Sequence, residues 1–552
     1  MNLSTLTTTS KDDTQNYYAK QSAFENLTAQ QPVVEPTAII EYHSHGQLLI
    51  IGDKDEALAL AKQFGESLSC TVLVCETGEH DQRNGIPILY TQGLALNLSG
   101  HLGAFQVEAG NKNIAQLLSS KNKHFDLILD LQSPPFFNMA VKPFGYYAPQ
   151  GDPHALQQFL TELPEMTGGF EKPRFFNYNA DICAHGIKGN EACRRCLDAC
   201  PTDAIRSLTE LIEINPYWCQ GGGICATACP SGAITYAYPT PADLTNQIRQ
   251  LLKNYRTAGG RHPVLLLHDS EQGRAQLKAM NGNLPGHVMP LEIEELGSVG
   301  IDSWLAALAF GASRIILLET NEIPTQVRDE LETQRRFTTA ILQAMNYPDT
   351  SITWTHTTGT LSERVTKSVM PAIEPATFSG MNEKRSTLYF AIDHLYSQSM
   401  DASAIAELPH TAPFGEVCVD REACTLCLAC ASVCPAKALS DGIDVPKLQF
   451  YEYNCVQCGL CESVCPESAI ELRPRILLDP NLRTDARVLK EEKPFYCLHC
   501  KKPFSTQSMV DRMLEQLSDH WMFQGEQSLN RLKMCADCRV IDMVKDDNEK
   551  TI

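Results

Sequence analysis

The sequence predicts a multidomain chain of class α/β plus α+β, and three observations indicate this organisation. Short apolar strands alternate with helical stretches in two separate parts of the chain, which is typical of α/β domains with parallel sheets. A cysteine-rich run that ends in Cys-Pro occurs four times, in two pairs, which indicates two small modules built from one repeated unit. Two further Cys-x2-Cys pairs near the C-terminus predict a small separate domain.

Composition narrows the class of protein. The 552 residues are enough for about three to five domains. The net charge of −20 argues against nucleic acid and an anionic membrane surface as partners, and it suits docking to a basic patch on a redox protein. The 22 cysteines lie mostly in Cys-x2-Cys clusters, which indicates metal or cluster ligands in a reducing compartment. Because the sequence shows neither a secretory signal nor a membrane span, we expect a cytoplasmic protein.

The stretch from Cys424 to Pro466 carries the clearest chemical signal. It reads C-TL-C-LA-C-ASV-C-P and later C-VQ-C-GL-C-ESV-C-P. In this spacing three cysteines of a run hold one [4Fe–4S] cluster and the fourth holds the other cluster. The predicted ligand sets are Cys424, Cys427, Cys430 and Cys465, and Cys455, Cys458, Cys461 and Cys434. The alternative of zinc sites or disulfides fits poorly with two matching runs that are each closed by proline.

At these residues the chain resembles the two-cluster bacterial ferredoxins, so we expect ferredoxin-like dicluster modules.

A second pair of runs precedes this one. The run from Cys183 reads C-AHGIKGNEA-C-RR-C-LDA-C-P, with a first gap stretched to nine residues. The run from Cys219 reads C-QGGGI-C-ATA-C-P, with Gly222 where the second cysteine should stand. All four runs continue alike, as CPTDAI, CPSGAI, CPAKAL and CPESAI.

The same exchange of ligands applied to the first pair predicts one complete set and one incomplete set. The complete set is Cys183, Cys193, Cys196 and Cys229, and the incomplete set is Cys200, Cys219 and Cys225. For ferredoxins that lack the middle cysteine, the resemblance implies a [3Fe–4S] cluster. The alternatives are a fourth iron held by water or a nearby side chain, or no cluster. We therefore expect three [4Fe–4S] clusters and a fourth that is [3Fe–4S]. His185 is expected to be a surface loop residue, although it could tune the adjacent cluster.

Two α/β domains are predicted to be Rossmann-like. The first contains the strands LLIIG, CTVLVC and FDLILDL, but only Gly52 stands at its first turn, so the sequence does not support a dinucleotide site. The second has strands at 263–269, 287–293, 313–319 and 351–356, with helices between them. Its layout weakly resembles the small iron–sulfur delta subunit of methanogen-type hydrogenases. The cysteines of that family are absent here, so no cluster chemistry is implied for this domain.

The C-terminal cysteines form two knuckles separated by 34 residues, and they are Cys497, Cys500, Cys535 and Cys538. Such a set predicts a tetrahedral Zn²⁺ site with four thiolates. The alternatives are a redox dithiol pair or a fifth iron–sulfur cluster. His499 lies inside the first knuckle and is expected to be exposed rather than a ligand.

The predicted domain boundaries follow these patterns. They are a polar, partly disordered tail at 1–38, an α/β domain at 39–165, a dicluster module at 166–239, a second α/β domain at 240–405, a second dicluster module at 406–480 and a zinc-knuckle tail at 481–552.

The chain shows no Walker loop, no HExxH, no G-x-S-x-G and no flavin or dinucleotide fingerprint. An electron carrier or accessory subunit is therefore expected rather than a catalyst. The cysteine layout of residues 170–552 resembles the large cytoplasmic ferredoxin-type proteins encoded beside proteobacterial formate dehydrogenases. This resemblance implies a role in relaying electrons to or from a formate dehydrogenase, or in its assembly. The alternatives are a scaffold or maturation factor with structural clusters, and an oxidoreductase with its own substrate site.

Overall fold

The structure is a computed structural model. It describes residues 11–30, 34–65, 67–118, 123–187, 189–279, 284–320, 323–355, 370–442, 445–483 and 485–549. These residues form two α/β domains, two modules of short paired strands and a C-terminal hairpin with helices.

The N-terminal segment, predicted to be a polar tail, contains helix α1 (Lys11–Gln30). Ala19, Ala23 and Leu27 lie on one side of this helix and are buried in the core of the second α/β domain. The prediction is wrong here because three apolar side chains in a Thr-, Ser- and Gln-rich stretch give only a narrow apolar stripe. Residues 1–10 of the predicted tail lie outside the described residues.

The first α/β domain has a six-stranded sheet in the order β10–β9–β2–β3–β5–β4, parallel except for the edge strand β4. Its elements are β1 (Ile39–Ser44), β2 (Gln47–Ile51), α2 (Lys54–Phe64), β3 (Ser69–Val74), β4 (Asp81–Arg83), β5 (Ile86–Tyr90), β6 (Leu96–Ser99), β7 (Gln106–Ala109), β8 (Lys112–Asn113), β9 (Leu127–Asp130), β10 (Tyr146–Tyr147), α3 (Pro153–Glu162) and β11 (Gly168–Pro173). The predicted βαβ unit is β2–α2–β3, which confirms a parallel sheet. β11 pairs with β1, so this domain extends beyond the predicted boundary at 165.

The first cysteine module consists of three strand pairs and two short helices. Its elements are β12 (Phe176–Tyr178), β13 (Gly186–Ile187), β14 (Asn190–Glu191), α4 (Arg195–Ala199), β15 (Ile205–Ser207), β16 (Ile212–Ile214), α5 (Ile224–Ala228) and β17 (Ile234–Tyr236). The first and last strands of the module, β12 and β17, pair antiparallel, and β15 pairs antiparallel with β16 between them in the chain. The small core between these strands contains cysteines as well as Ile205, Ile212 and Ile234.

The second α/β domain has a four-stranded parallel sheet in the order β19–β18–β20–β21. Its elements are α6 (Pro241–Thr257), β18 (Val264–Asp269), α7 (Gln272–Ala279), β19 (Val288–Ile293), α8 (Ile301–Ala309), β20 (Arg314–Leu318), α9 (Thr325–Ala344), β21 (Ile352–Thr355) and α10 (Lys384–Gln398). All four predicted strands are present, except that position 356 lies outside the described residues. Helix α8 is almost entirely buried, since it packs against both α6 and α10.

The second cysteine module repeats the pairing of the first. Its elements are β22 (Ile405–Glu407), β23 (Gly415–Val419), α11 (Ala429–Ser432), β24 (Leu439–Asp441), β25 (Lys447–Phe450), α12 (Leu460–Ser463), β26 (Ile470–Leu477), α13 (Pro480–Arg483) and β27 (Arg487–Glu491). β23 pairs with β26, and β24 pairs with β25. β27 adds to β25, so residues 487–491 belong to this module and not to the predicted tail. The physical reason is an ion-pair network around Glu452.

Glu452 is buried and connects the strands that follow the last cysteine run. Its carboxylate accepts hydrogen bonds from Arg475 at 2.9–3.0 Å and from Arg487 at 2.7 Å. We expect Glu452→Gln to lower the free energy of unfolding of this module by about 2 kcal/mol, because it removes the more buried of the two carboxylates that pair with Arg475 and Arg487, the other being Glu416. Hydrogen exchange of the β26 amides measures this loss. The control is Glu471→Gln, whose partner Arg473 is exposed and whose effect should be near zero; equal protection in both variants would contradict the prediction.

The C-terminal segment forms a hairpin followed by three helices, namely β28 (Pro494–Tyr496), β29 (Pro503–Thr506), α14 (Gln507–Leu517), α15 (Glu526–Leu532) and α16 (Ala536–Glu549). It is attached to the second module. Thr506 Oγ1 donates to the carbonyl of Thr425 at 3.0 Å, and Arg512 forms an ion pair with Glu467 at 3.3 Å.

Candidate functional site

The four cysteine runs adopt the same local structure. A short helix begins one residue before the third cysteine position of each run, and these helices are α4, α5, α11 and α12. The third residue after the last cysteine always has a positive φ, and these residues are Asp203 (50°), Gly232 (76°), Lys437 (50°) and Ser468 (49°). This left-handed residue lies between each Cys-Pro and the strand that follows it. The backbone therefore repeats the unit that the shared sequence tail indicates.

One group of the second module, here called the outer group because Cys427 is exposed, combines cysteines from both runs, namely Cys424, Cys427, Cys430 and Cys465. Burial raises the pKa of Cys430 to about 12, and the thiolates of Cys427, Cys424 and Cys465 raise it as well. Coulomb interactions of this kind weaken with distance, so these four thiols lie near one another. Cys427 is exposed, whereas Cys430 is buried.

The other group of this module is assembled in the same way. Burial raises the pKa of Cys458 to about 11, and the thiolates of Cys455 and Cys434 raise it too. Burial also raises the pKa of Cys461, and the same neighbouring thiolates act on it. The fourth cysteine of each run therefore lies with the first three of the other run.

The first module brings its cysteines together in a group of four and a group of three. Burial raises the pKa of Cys196, and the thiolates of Cys229, Cys193 and Cys183 raise it as well. The stretched gap between the first two of these cysteines therefore does not remove Cys183 from the group. Burial likewise raises the pKa of Cys225 in the smaller group, and the thiolates of Cys219 and Cys200 raise it as well. That group consists of Cys200, Cys219 and Cys225.

These groups fit a cationic iron–sulfur core. Grouped thiolates repel one another, so only a positively charged centre holds them all ionised in a small volume. Backbone N–H groups also point at the sulfurs. Ala438 donates to Cys434 Sγ at 3.2 Å, and Ala469 donates to Cys465 Sγ at 3.3 Å. Such hydrogen bonds favour the ionised form of the sulfur and tune the reduction potential of a bound cluster.

Gly222 occupies the second-ligand position of its run. Its neighbours Gly221 and Gly223 have φ of 84° and 71°. The same pair of positive φ values flanks Cys427 in the outer group, at Leu426 (55°) and Leu428 (60°). Gly222 itself does not have such a φ, and a Cβ added there would meet nothing within 4 Å. A side chain at this position is therefore compatible with the backbone and with the space around it.

A cavity of about 200 Å³ lies beside Gly222. Its other wall is the carboxyl edge of the second parallel sheet, with Asp269, Glu294 and Glu295. Burial raises the pKa of Glu295 to about 7, and the carboxylates of Asp269, Glu271 and Glu294 contribute. The loops that carry Cys200 and Cys219 reach this cavity through Pro201 and Gln220, so the vacant ligand position at Gly222 shares the cavity with carboxylates. A carboxylate is one of the non-cysteine ligands considered for a fourth iron.

His185 differs from the expected surface residue, because it is buried at 1% exposure. Its Nδ1 lies 2.8 Å from the carbonyl of Cys193, and its Nε2 lies 2.8 Å from Ser207 Oγ. The imidazole therefore closes the nine-residue loop between Cys183 and Cys193. The sequence shows the residue, but only the fold shows that the loop bends back over it.

The C-terminal cysteines form one compact group. Ligand atoms of Cys497, Cys500, Cys535 and Cys538 all lie within 4.8 Å of one another. The first two lie in the turn between β28 and β29, and the last two lie at the start of α16. His499 is exposed, as expected, with its Nδ1 3.7 Å from Cys538 Sγ.

The electrostatics of this group favour ionisation of Cys497, whereas burial and hydrogen bonds with the neighbouring thiols raise the pKa of Cys538 to about 12. Desolvation opposes ionisation of Cys497, but backbone N–H groups of Cys500, Cys535 and His499 lower its pKa to about 6. One of these, the N–H of Cys535, lies 3.3 Å from Cys497 Sγ. Four sulfurs within 4.8 Å of one another, one of them readily ionised, are suited to binding a tetrahedral metal ion.

The first turns of both α/β domains end in a carboxylate instead of a glycine-rich phosphate loop. Asp53 accepts from the N–H groups of Asp55 and Glu56 at the start of α2. Asp269 accepts from Glu271 and Gly273 at the start of α7. A carboxylate at these helix N-termini occupies the place where a dinucleotide would put its phosphates.

Comparison with known protein families bears on both cysteine modules. Residues 423–470 match the family model of a 4Fe-4S dicluster domain, and residues 212–235 match that of a 4Fe-4S binding domain. No curated protein matches the sequence. Within the part of the chain that the structure describes, no helix has the length and apolarity needed to cross a membrane. The chain therefore carries two 4Fe–4S ferredoxin-type domains, which support an iron–sulfur protein.

Proposed function

We propose that this protein relays electrons between redox partners through four iron–sulfur clusters. The observation that carries this proposal is the grouping of the cysteines of four repeated runs into sets of four, four, four and three, three of the runs lying in the segments 212–235 and 423–470 that match 4Fe–4S family models. The proposed ligand sets are Cys183, Cys193, Cys196 and Cys229; Cys200, Cys219 and Cys225; Cys434, Cys455, Cys458 and Cys461; and Cys424, Cys427, Cys430 and Cys465.

Each bound cluster supplies one-electron redox chemistry. The chain contributes ionised sulfur ligands, N–H donors to those sulfurs and a largely buried setting, all of which adjust the potential at which the cluster works. For the set beside Gly222 we propose a [3Fe–4S] cluster, since no cysteine is present at its fourth corner. For the C-terminal group we propose structural zinc, because its four sulfurs lie closer together than a cluster requires and two of them begin a helix.

The partners that we propose are redox proteins, and a formate dehydrogenase is the candidate that the cysteine layout suggests. The exposed Cys427 places one cluster near the surface, where a partner would approach. The net charge of −20 favours a basic docking surface on that partner.

The test is the cluster content of anaerobically purified protein. We expect about four clusters per chain by iron and sulfide analysis, because four half-ferredoxin runs are present. The double variant Cys196→Ser/Cys229→Ser should lose iron from the first module only, and Cys418→Ser, which alters a cysteine outside every set, should lose none. Iron for only two clusters in the unmodified protein, with the cysteines from 183 to 229 titrating as free thiols, would contradict the proposal for the first module.

The reduction potentials of the clusters distinguish the proposed electron relay from the alternative function of a scaffold. A relay must cycle at potentials that physiological donors and acceptors reach, whereas structural clusters need not. We expect at least one cluster of each module to be reduced reversibly in a titration within the ferredoxin range. Clusters that resist reduction throughout that range would favour the alternative function of a scaffold or maturation factor.

A further inference from the structure

The two cysteine modules meet at the first turn of α10, in the second α/β domain. Lys384 Nζ donates to the carbonyls of Ala226 at 2.9 Å and Cys229 at 3.1 Å, both in the first module. The next residue, Arg385, donates to Pro230 in the first module at 3.3 Å and to Cys455 in the second module at 3.2 Å. One guanidinium therefore spans the ligand loops of two different modules.

The geometry of Arg385 is held by its surroundings. Its guanidinium lies 5.5 Å from the ring centroid of Tyr389 and 5.3 Å from that of Phe414. Tyr389 in turn stacks on Tyr453 with 4.5 Å between centroids, and Arg385 Nε donates to the carbonyl of Tyr453 at 3.2 Å. A guanidinium keeps its charge at all physiological pH values and offers several donors in a fixed plane, so it can fix the distance between two loops.

These contacts show which cysteine groups face the joint. Cys229, whose carbonyl accepts from Lys384, belongs to the larger group of the first module, and Cys455, whose carbonyl accepts from Arg385, belongs to one group of the second module. A second link lies beside this one, since Arg195, next to Cys196, donates to the carbonyl of Thr411 in the second module, between β22 and β23. The Cys193 group and the Cys455 group are therefore the two groups at the joint.

We infer that the two modules form one continuous path of four clusters, and that Arg385, with Lys384, is the positioning residue that sets the gap between the two inner clusters. The inner clusters are those of the Cys193 and Cys455 groups. The end clusters are those beside Gly222 and beside the exposed Cys427. This inference rests on the proposed function. Clusters held at these four sites would supply one-electron redox chemistry, with redox proteins as the donor and acceptor at the two ends.

The test isolates the inner pair in the full-length chain. Cys219→Ala/Cys225→Ala and Cys424→Ala/Cys427→Ala empty the two end sites while every ligand of the inner sites is kept. After reduction with dithionite, EPR of this protein should show two clusters whose signals are split and broadened by mutual spin coupling. Loss of that coupling is expected in Arg385→Ala, with iron content unchanged, and partial recovery in Arg385→Lys, which keeps the charge but not the planar fork.

The matched control is Arg249→Ala, since Arg249 also donates to a backbone carbonyl, that of Thr377 at 3.0 Å, but within the second α/β domain. It should leave the coupling intact. If the inner sites hold iron but their signals are magnetically isolated even with Arg385 present, the inference is wrong and the proposed function stands. If the inner sites hold no iron, the proposed function itself fails. Should an end-site variant not fold, the unmodified, fully reduced protein is compared with its Arg385→Ala variant, and an identical splitting pattern in the two overturns the inference.

Discussion

Gly222→Cys is expected to convert the incomplete cluster into a cube and to add about one iron per chain. The three-iron EPR signal of the oxidised protein should disappear at the same time. The reason is local geometry. The backbone on both sides of Gly222 has the positive φ values that flank Cys427, and nothing lies within 4 Å of the new Cβ. A side chain at this position therefore needs no backbone change, and we expect the new thiol to complete the Cys200, Cys219 and Cys225 group.

The control for this substitution is Gln220→Cys. It adds a thiol to the same loop, two residues earlier, where the repeated runs have no ligand. Iron content and the EPR signal should stay as in the unmodified protein. If the unmodified protein already holds four complete cubes, a non-cysteine ligand is present and the three-iron assignment is wrong. Glu295→Gln then tests whether a carboxylate is that ligand, because Glu295 lines the cavity beside Gly222.

Cys497→Ser is expected to release about one zinc per chain and to unfold the C-terminal segment while iron stays constant. A metal held by these four cysteines would join the turn between β28 and β29 to the start of α16, and these elements otherwise share few buried apolar side chains. Metal analysis measures the loss of zinc, and limited proteolysis measures the loosening of residues 494–549. Cys418→Ser serves as the control, since it removes a cysteine outside the group and should keep both metals. A fall in iron instead of zinc would show that the tail holds a cluster.

The same site should respond to pH in a defined direction. The pKa of Cys497 is lowered from the ordinary value of 9.0 to about 6. A thiol whose pKa is lowered in the folded state favours folding above its ordinary pKa, and this contribution is lost as the pH falls through about 6. Protons also compete with the metal for sulfur. We therefore expect zinc retention and protease resistance of the tail to decline together as the pH falls from about 9 through about 6, and a tail that loosens only on the alkaline side would contradict this.

Cysteine spacing alone predicted the sets that the structure brings together. The first three cysteines of a run lie in one short loop and helix, so spacing fixes their relation. The exchange of the fourth cysteine between runs follows from the paired repeat. The parallel strands of the second α/β domain were equally clear, because strands buried on both faces read as continuous apolar runs. The ligand roles and the zinc remain predictions for the experiments above.

Only the tertiary structure decided how these parts meet. Helix α1 packs on the second α/β domain through Ala19, Ala23 and Leu27, and three apolar side chains in a polar stretch are too few to give a clear pattern. The carboxylates of the cavity beside Gly222 come from a different domain than the cysteines do. Arg385 contacts the loop at Pro230, which is 155 residues away in the chain, and the loop at Cys455, which is 70 residues away. Contacts between residues so far apart in the chain depend on domain packing, which local spacing and periodicity do not encode. The sequence by itself thus determined the local ligand geometry, and the packing of the domains determined the order of the cysteine groups.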